Sequence, residues 1–325
     1  MAPLTWLGRR LLGGAITVAI VVTIVFALIH AAPGSPLTTL DDQQLPAEMA
    51  ERVRRDFGLD RPVLVQYSHW LLRVARGDLG ISLSQQRPVR AVLAAALPHT
   101  LVLAAAALLL MLALGVGIAL LQAARPWSRR DRMLSLVSVT LFSTPVFWLG
   151  AMLLAAFAIG TGWFPAGGAR DVTLGPDAGW LTLAADRLYH LVLPAFTLGL
   201  AGAGLIARYQ RTALLEVLAM DFIRTARAKG LSPRAVLWRH ALPNALLPTI
   251  TLLGLIAPAL LSGAVLVETV FAWPGMGRVT ADAILRRDYP VVAGATLVAA
   301  ILVVLSTIVA DALTRWADPR TRGAA

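Results

Sequence analysis

Cysteine is absent from this 325-residue chain, which excludes disulfides, thiolate nucleophiles, zinc ribbons and iron–sulfur clusters. Lys229 is the only lysine, and its Ala-Lys-Gly setting lacks the Gly-Lys-Ser/Thr of a phosphate-cradling loop, so this chain does not hydrolyse ATP through a P-loop. Charge is scarce as well: charged residues make up 14% and hydrophobic residues 58%, with a mean hydropathy of +0.72, the balance of a lipid-embedded chain. There is no Gly-x-Ser-x-Gly elbow and no His-Glu-x-x-His, and His30, His69, His99, His190 and His240 are too scattered for a local metal motif. No catalytic residue and no metal site is predicted. A pI near 11.4 raises the question of nucleic acid, but the arginines are scattered between apolar runs instead of clustering on a basic domain, so nucleic acid is not a predicted partner.

What the chain does have is apolar length. A membrane-spanning helix needs about 20 apolar residues, because each residue rises 1.5 Å and every backbone polar group has to be satisfied within the segment. Six stretches meet or approach that length without Asp, Glu, Lys or Arg: Leu11 to Ala32, Thr100 to Leu121, Met133 to Gly160, Leu191 to Ala207 with flanks, Ala241 to Val267 and Tyr289 to Ala310. The reading is an all-α membrane protein of six spans, a single domain over residues 1–325. The first run follows Arg9 and Arg10, exceeds a signal peptide in length and stays as an anchor; the arginine pair holds a helix end and is not read as an export signal.

Orientation follows from the basic residues. With both termini cytoplasmic, the inner segments carry 16 basic and 5 acidic residues and the outer ones 13 and 13, so the whole net charge of +11 faces one compartment. Residues 33–98 form a long outer loop and residues 208–244 an inner segment. In the outer loop, Asp60-Arg61-Pro62 starts an amphipathic helix with Leu64, Tyr67, Leu71 and Val74 at helical spacing and Gly77 at its end. A second helix is expected from Pro88 through Val92 and Leu93 to Pro98. The spans retain no charge, while Glu268 and Asp311 are placed at helix ends, which disfavours an ion-coupled carrier. A channel and a non-transporting membrane scaffold are the other rivals. Ser143, Pro145, Trp148 and Asn244 are candidates for lining a pathway, with helix packing as the alternative role.

The inner segment is the most informative. Asp221 is expected to cap a short helix, Arg227 and Lys229 complement its carboxyl end, Gly230 supplies a left-handed stop, and Ser232-Pro233 starts a second helix. Phe222, Ala226, Val236 and Leu237 are expected to offer an apolar docking surface to a partner protein.

At these residues the chain resembles the inner-membrane permeases of binding-protein-dependent ABC importers, whose loop reads Glu-Ala-Ala-x-x-x-Gly and, nine residues later, Ile-x-Leu-Pro. Arg224, Thr225 and Ala226 stand at the Glu-Ala-Ala positions; Gly230, Ala226 and Leu242-Pro243 match, while Arg224 and His240 depart. The likeness narrows to the dipeptide/oligopeptide branch through Arg-Thr-Ala-Arg-Ala-Lys-Gly230, Gly58-Leu-Asp-Arg-Pro62, Arg76-Gly-Asp-Leu-Gly80, Leu97-Pro98, Val267-Glu-Thr-Val-Phe-Ala-Trp-Pro-Gly-Met-Gly277, Asp288-Tyr-Pro290 and Asp318-Pro-Arg320.

The resemblance implies a type I importer permease of the bacterial inner membrane. It implies a second homologous permease beside this one in the lipid bilayer, two ATP-binding cassette subunits inside and an extracytoplasmic solute-binding protein. No cofactor is expected in this chain, since ATP and magnesium belong to the partner subunits. Arg224, Thr225, Ala226, Gly230, Leu231, Ser232, His240, Leu242 and Pro243 are the implied ATPase-coupling residues. Cargo is implied to be di- or oligopeptide, with nickel, metallophores or glutathione as alternatives on the same machinery. The outer loop, Pro62 to Arg76 and Phe271 to Gly277 are candidates for contacting the binding protein.

Overall fold

A computed structural model describes residues 3–31, 62–175 and 177–317. Gly58 to Arg61, including the expected Asp60 start, and Asp318 to Arg320 lie outside the described residues. Within them the chain is almost entirely helical, with one isolated antiparallel bridge between Ile81 and Pro88. The helices are α1 (Pro3–Ala31), α2 (Val63–Ala75), α3 (Val89–Ala123), α4 (Arg129–Ser143), α5 (Val146–Leu153), α6 (Trp180–Leu218), α7 (Asp221–Ala228), α8 (Pro233–Ala235), α9 (Leu242–Gly263), α10 (Val265–Val270), α11 (Met276–Leu285) and α12 (Tyr289–Ala317). Five of the helical stretches are long and apolar enough to cross a bilayer, and α4 with α5 and its continuation makes a sixth only as a bent pair.

The spine of the bundle is α3 against α6. Their backbones approach closely because small residues line the seam: a Cβ added at Gly115 would lie 2.6 Å from Ile206. Gly204, on α6, makes the same close approach to α4, where a Cβ would overlap the Ser138 carbonyl. Helix α9 packs on α6 and α12, and α1 lies outermost against α12. Burial follows that order, from 61% of the apolar window of α6 to 6% of that of α1.

Three expectations about the spans are corrected. The expected helix from Pro88 to Pro98 and the span from Thr100 are one continuous helix, α3, with Pro98 inside it. Burial of Val89, Leu93 and Ala96 against Val291 and Ala295 holds the helix through the proline, which costs one N–H and crowds the carbonyl four residues back. The expected span Met133 to Gly160 is bent by 104° between Ser143 and Val146. Pro145 has no N–H to continue the ladder, and both the amide and the hydroxyl of Thr144 turn back to the Thr140 carbonyl, at 3.0 and 2.7 Å. After the bend, α5 passes into a π-helical stretch, Leu154–Gly160. The fourth span, expected over Leu191 to Ala207 with flanks, is α6, whose 39 residues make about 58 Å of helix, so its polar ends extend past the hydrocarbon. The fifth breaks at Ala264, and Glu268, expected at a helix end, lies in the first turn of the six-residue α10 and is fully buried.

Opposite the hairpin end, two buried carboxylates pin the loops. The Glu268 carboxylate accepts hydrogen bonds from Thr100 Oγ1 (2.7 Å) and the Arg278 amide (2.9 Å), while Thr100 in turn accepts from the Met276 amide (2.8 Å). The Asp288 carboxylate accepts from Ser82 Oγ (2.6 Å), the Ser84 amide (3.0 Å) and Ser84 Oγ (2.7 Å). Phe271, Trp273 and Met276 are buried, so the Phe271 to Gly277 segment is mostly interior packing and presents little contact surface.

Helix α2 ends at Gly77 in the left-handed region (φ +77°), as its sequence predicts. Gln66 is buried and bonds His30, and the Tyr67 and Trp70 rings lie against Phe26, while Leu64 is 82% exposed. The Arg73 guanidinium, 2.9 Å from Asp78, holds that carboxyl below its usual value against the opposing effect of desolvation.

Candidate functional site: an anchored hairpin

Helix α6 ends at Leu218, and the chain turns into α7 with Met220 as its N-cap. Asp221, expected as the cap, is the first helical residue and makes no side-chain cap; it pairs with Arg224 at 3.1 Å, both largely exposed, a contact worth about 0.5 kcal/mol. At the far end Gly230 has φ +80°, its amide bonds the Arg227 carbonyl (2.9 Å) and the Leu231 amide bonds that of Ala226 (3.4 Å). Nothing lies within 4 Å of a Cβ built on Gly230, so glycine is required there by backbone conformation and not by crowding. Ser232 Oγ accepts the Ala235 amide at 3.3 Å and Pro233 opens the next turn, both as expected. That turn, α8, runs into a π-helical stretch, Val236–Ala241, and then into α9 at Leu242-Pro243. The Asn244 side-chain amide donates to the His240 carbonyl at 2.8 Å.

The hairpin has two faces. Ile223, Ala226, Val236, Leu237, Ala241 and Ala245 are buried against Ala119, Leu120 and Ala123 at the end of α3 and Ala213, Leu214 and Val217 at the end of α6. Burying each larger aliphatic side chain here contributes about 1.5–3 kcal/mol, so the elbow is fixed to the two central helices. This corrects the expected docking surface: Ala226, Val236 and Leu237 face inward, and of the expected set only Phe222 is exposed. The outward face carries Met220, Phe222, Leu231 and Trp238 among Arg224, Arg227, Lys229, Arg234 and Arg239. Ser232, Arg234, Trp238 and Arg239 border an open cleft of about 510 Å³. Thr225 and Pro243 are exposed, while His240 and Leu242 are half-buried.

Beside this elbow lies a group that sequence reasoning missed. Asp131, 2% exposed at the start of α4, receives two hydrogen bonds from the Arg211 guanidinium of α6, at 2.8 and 2.7 Å, and a third from the Trp127 amide at 2.8 Å. The Trp127 ring lies against the same guanidinium, 5.2 Å from its centroid. Gln122 of α3 donates to Ser135 Oγ at 2.8 Å, tying the third helix in. The hairpin, α3, α4 and α6 are thus joined at one end of the bundle. Of the pathway candidates, Ser143, Pro145 and Trp148 lie exposed at the bend, and Asn244 is exposed near the elbow.

A helical bundle of several apolar spans, carrying an arginine-rich elbow clamped to its central helices, is the architecture of a multi-pass membrane protein. Residues 111–323 match the family described as binding-protein-dependent transport system inner membrane component, and residues 3–104 match its N-terminal family. The chain belongs to this family. It is 39% identical to the oligopeptide transport system permease protein AppB of Bacillus subtilis, over 91% of this chain and 92% of that one. To the probable D,D-dipeptide transport system permease protein DdpB of Escherichia coli it is 40% identical, over 97% and 96%. The glutathione transport system permease protein GsiC of Salmonella typhimurium is 36% identical over 98% and 99%. Among solved structures, the inward-facing MetNI methionine ABC transporter shares the fold, with a TM-score of 0.56 at 19% identity, covering 70% of this chain and 96% of that one.

Proposed function

We propose that this chain is the membrane permease of an ATP-driven importer of short peptides, and that its hairpin is where ATPase subunits grip it. Full-length likeness to oligopeptide and D,D-dipeptide permeases carries the cargo class. In this reading the chain spans the bacterial inner membrane with both termini and the hairpin cytoplasmic, as the +11 charge asymmetry favours. A second homologous permease completes the path, two ATP-binding cassette subunits hold ATP and magnesium, and an extracytoplasmic solute-binding protein delivers peptide.

The two faces of the hairpin suit a lever. Arg224, Thr225, Leu231, Ser232 and Pro243 present the outward side; Ala226 and Leu242 hold the inner side; Gly230 sets the turn and His240 sits at the junction with α9. Closure of the ATPases then moves α3, α6 and α9 together, because the elbow is buried against the first two and continuous with the third. Reversing a 1:99 conformational bias to 99:1 requires about 5.5 kcal/mol, so loss of the grip uncouples hydrolysis from uptake.

The test is reconstitution of the full assembly in liposomes, with labelled dipeptide, a longer peptide and glutathione as competing cargoes. ATP-dependent dipeptide or oligopeptide accumulation that needs the binding protein is the expected result. Glutathione accumulation alone would assign the cargo of the 36% identical relative instead. Accumulation by this chain without ATPase subunits would overturn the proposal.

A further inference from the structure

Helix α2 is fastened to α1 at a depth that the sequence fixes. The run of α1 without Asp, Glu, Lys or Arg begins after Arg10, and His30 lies about 20 residues further on, about 30 Å along the helix, which is the thickness of the hydrocarbon layer. His30 therefore stands at one face of that layer. The Gln66 side-chain oxygen of α2 meets His30 Nε2 there at 3.0 Å, and the Tyr67 and Trp70 rings pack on Phe26, one turn deeper, with centroids 5.2 and 5.4 Å away. Tyrosine and tryptophan are the side chains that settle at a membrane boundary. These contacts fall within about one turn of α2, as where one helix crosses the end of another.

The contacts also give α2 a deep edge and a shallow one. The Tyr67 hydroxyl reaches past Phe26 to Thr23, whose own proton goes to the Ala19 carbonyl (2.7 Å) and whose oxygen accepts from Tyr67 at 2.8 Å. Thr23 lies about 10 Å deeper along α1 than His30. The Tyr67 edge of α2 is thus the deep one and the Gln66 edge the shallow one. Residues three, four and seven apart share a helix edge, so Leu64 and Leu71 lie with Tyr67, and His69 and Arg73 lie with Gln66. Arg73, on the shallow edge, pairs with Asp78 at 2.9 Å. Leu64 and Leu71 are exposed, and the exposed Leu72 and Ala75 widen them into an apolar strip beside the deep edge.

We propose that α2 is a membrane-surface helix, its Leu64 and Leu71 edge inserted into the acyl boundary of the lipid and its Gln66, His69 and Arg73 edge turned to the headgroups and water. A water-borne protein reaches the strip only by displacing headgroups, because the contact between Tyr67 and Thr23 sets the deep edge below the boundary. The His69 and Arg73 edge is the side of α2 left for such a partner. This assignment rests on α1 crossing the bilayer and is independent of cargo.

The absence of cysteine makes single-site labelling clean. Leu64→Cys, Leu71→Cys and His69→Cys, each at an exposed position, are labelled with an environment-sensitive fluorophore. The full-length chain, with the subunits that co-purify with it, is then placed in vesicles of phosphatidylcholine and phosphatidylglycerol. A nitroxide carried high on the lipid acyl chain should quench the probes at Leu64 and Leu71 several-fold more than the probe at His69, and aqueous iodide should do the reverse. Equal lipid quenching at the three sites, or iodide reaching Leu64 as readily as His69, would overturn the proposal. So would protection of Leu64 from iodide that appears only on adding excess solute-binding protein, which would make the strip a protein-docking surface.

Discussion

Arg211 on α6 and Asp131 on α4 meet in a two-pronged contact, Nε and a terminal nitrogen donating at 2.8 and 2.7 Å to the carboxylate oxygens. They stand 80 residues apart in the chain, and the same carboxylate fixes the Trp127 amide, whose residue holds a left-handed φ of +65°. The turn between α3 and α4 is therefore organised by a charge on one helix and a counter-charge on another.

Because Asp131 is buried, removing only its partner strands a charge away from water. Arg211→Met should lower stability by about 3 kcal/mol, measured as thermal unfolding of the detergent-solubilised protein. Asp131→Asn together with Arg211→Met should recover part of that loss. Equal unfolding temperatures for wild type and Arg211→Met would show that the contact does not hold the helices.

Gly230 separates backbone strain from crowding. With open space around a Cβ but φ at +80°, Gly230→Val should cost about 1–3 kcal/mol locally, whereas Asn tolerates the left-handed region better. In the reconstituted assembly, valine should depress peptide uptake per ATP hydrolysed far more than asparagine does. Identical coupling ratios for the two variants would argue against the turn's role.

The two faces of α7 should respond differently to substitution. Ile223, fully buried, should cost about 2–5 kcal/mol when changed to Ala and reduce folded yield. Arg224→Glu, on a side chain 75% exposed, should change stability by less than about 0.5 kcal/mol yet weaken ATPase binding in a pull-down, increasingly so at low salt. A destabilised but binding-competent Arg224→Glu would place that residue on the wrong face.

Glu268 is surrounded by donors, so truncation leaves several of them unmet. Glu268→Ala should destabilise by about 3 kcal/mol, and the coupled variant Thr100→Val should add less than its own single effect, since the two share one network. Thermal unfolding of the four-member cycle measures this, and strict additivity would contradict it.

Much of the hairpin was legible because its signals are local: Gly230 needs only its own φ, and Ser232-Pro233 only its neighbours. The spans were legible through missing charge. What sequence could not supply was direction. Phe222 and Ala226 are both apolar on one short helix, and only the position of α3 and α6 decides that one faces out and the other in. Likewise Pro98 reads as a helix boundary until Val291 and Ala295 are packed beside it, and nothing local marks Glu268 as buried until Thr100 reaches it from 168 residues away. Asp131 and Arg211 belong to different helices and leave no periodic trace.

The right-angled break at Pro145 has a consequence for how this polypeptide can live in oil. Helix α5 starts there with no side-chain cap, and the first amides of any helix lie outside its own ladder, so those of α5 need an acceptor midway along an apolar stretch. Hydrocarbon has no acceptor to lend them. That corner is therefore better placed facing water or protein than facing lipid.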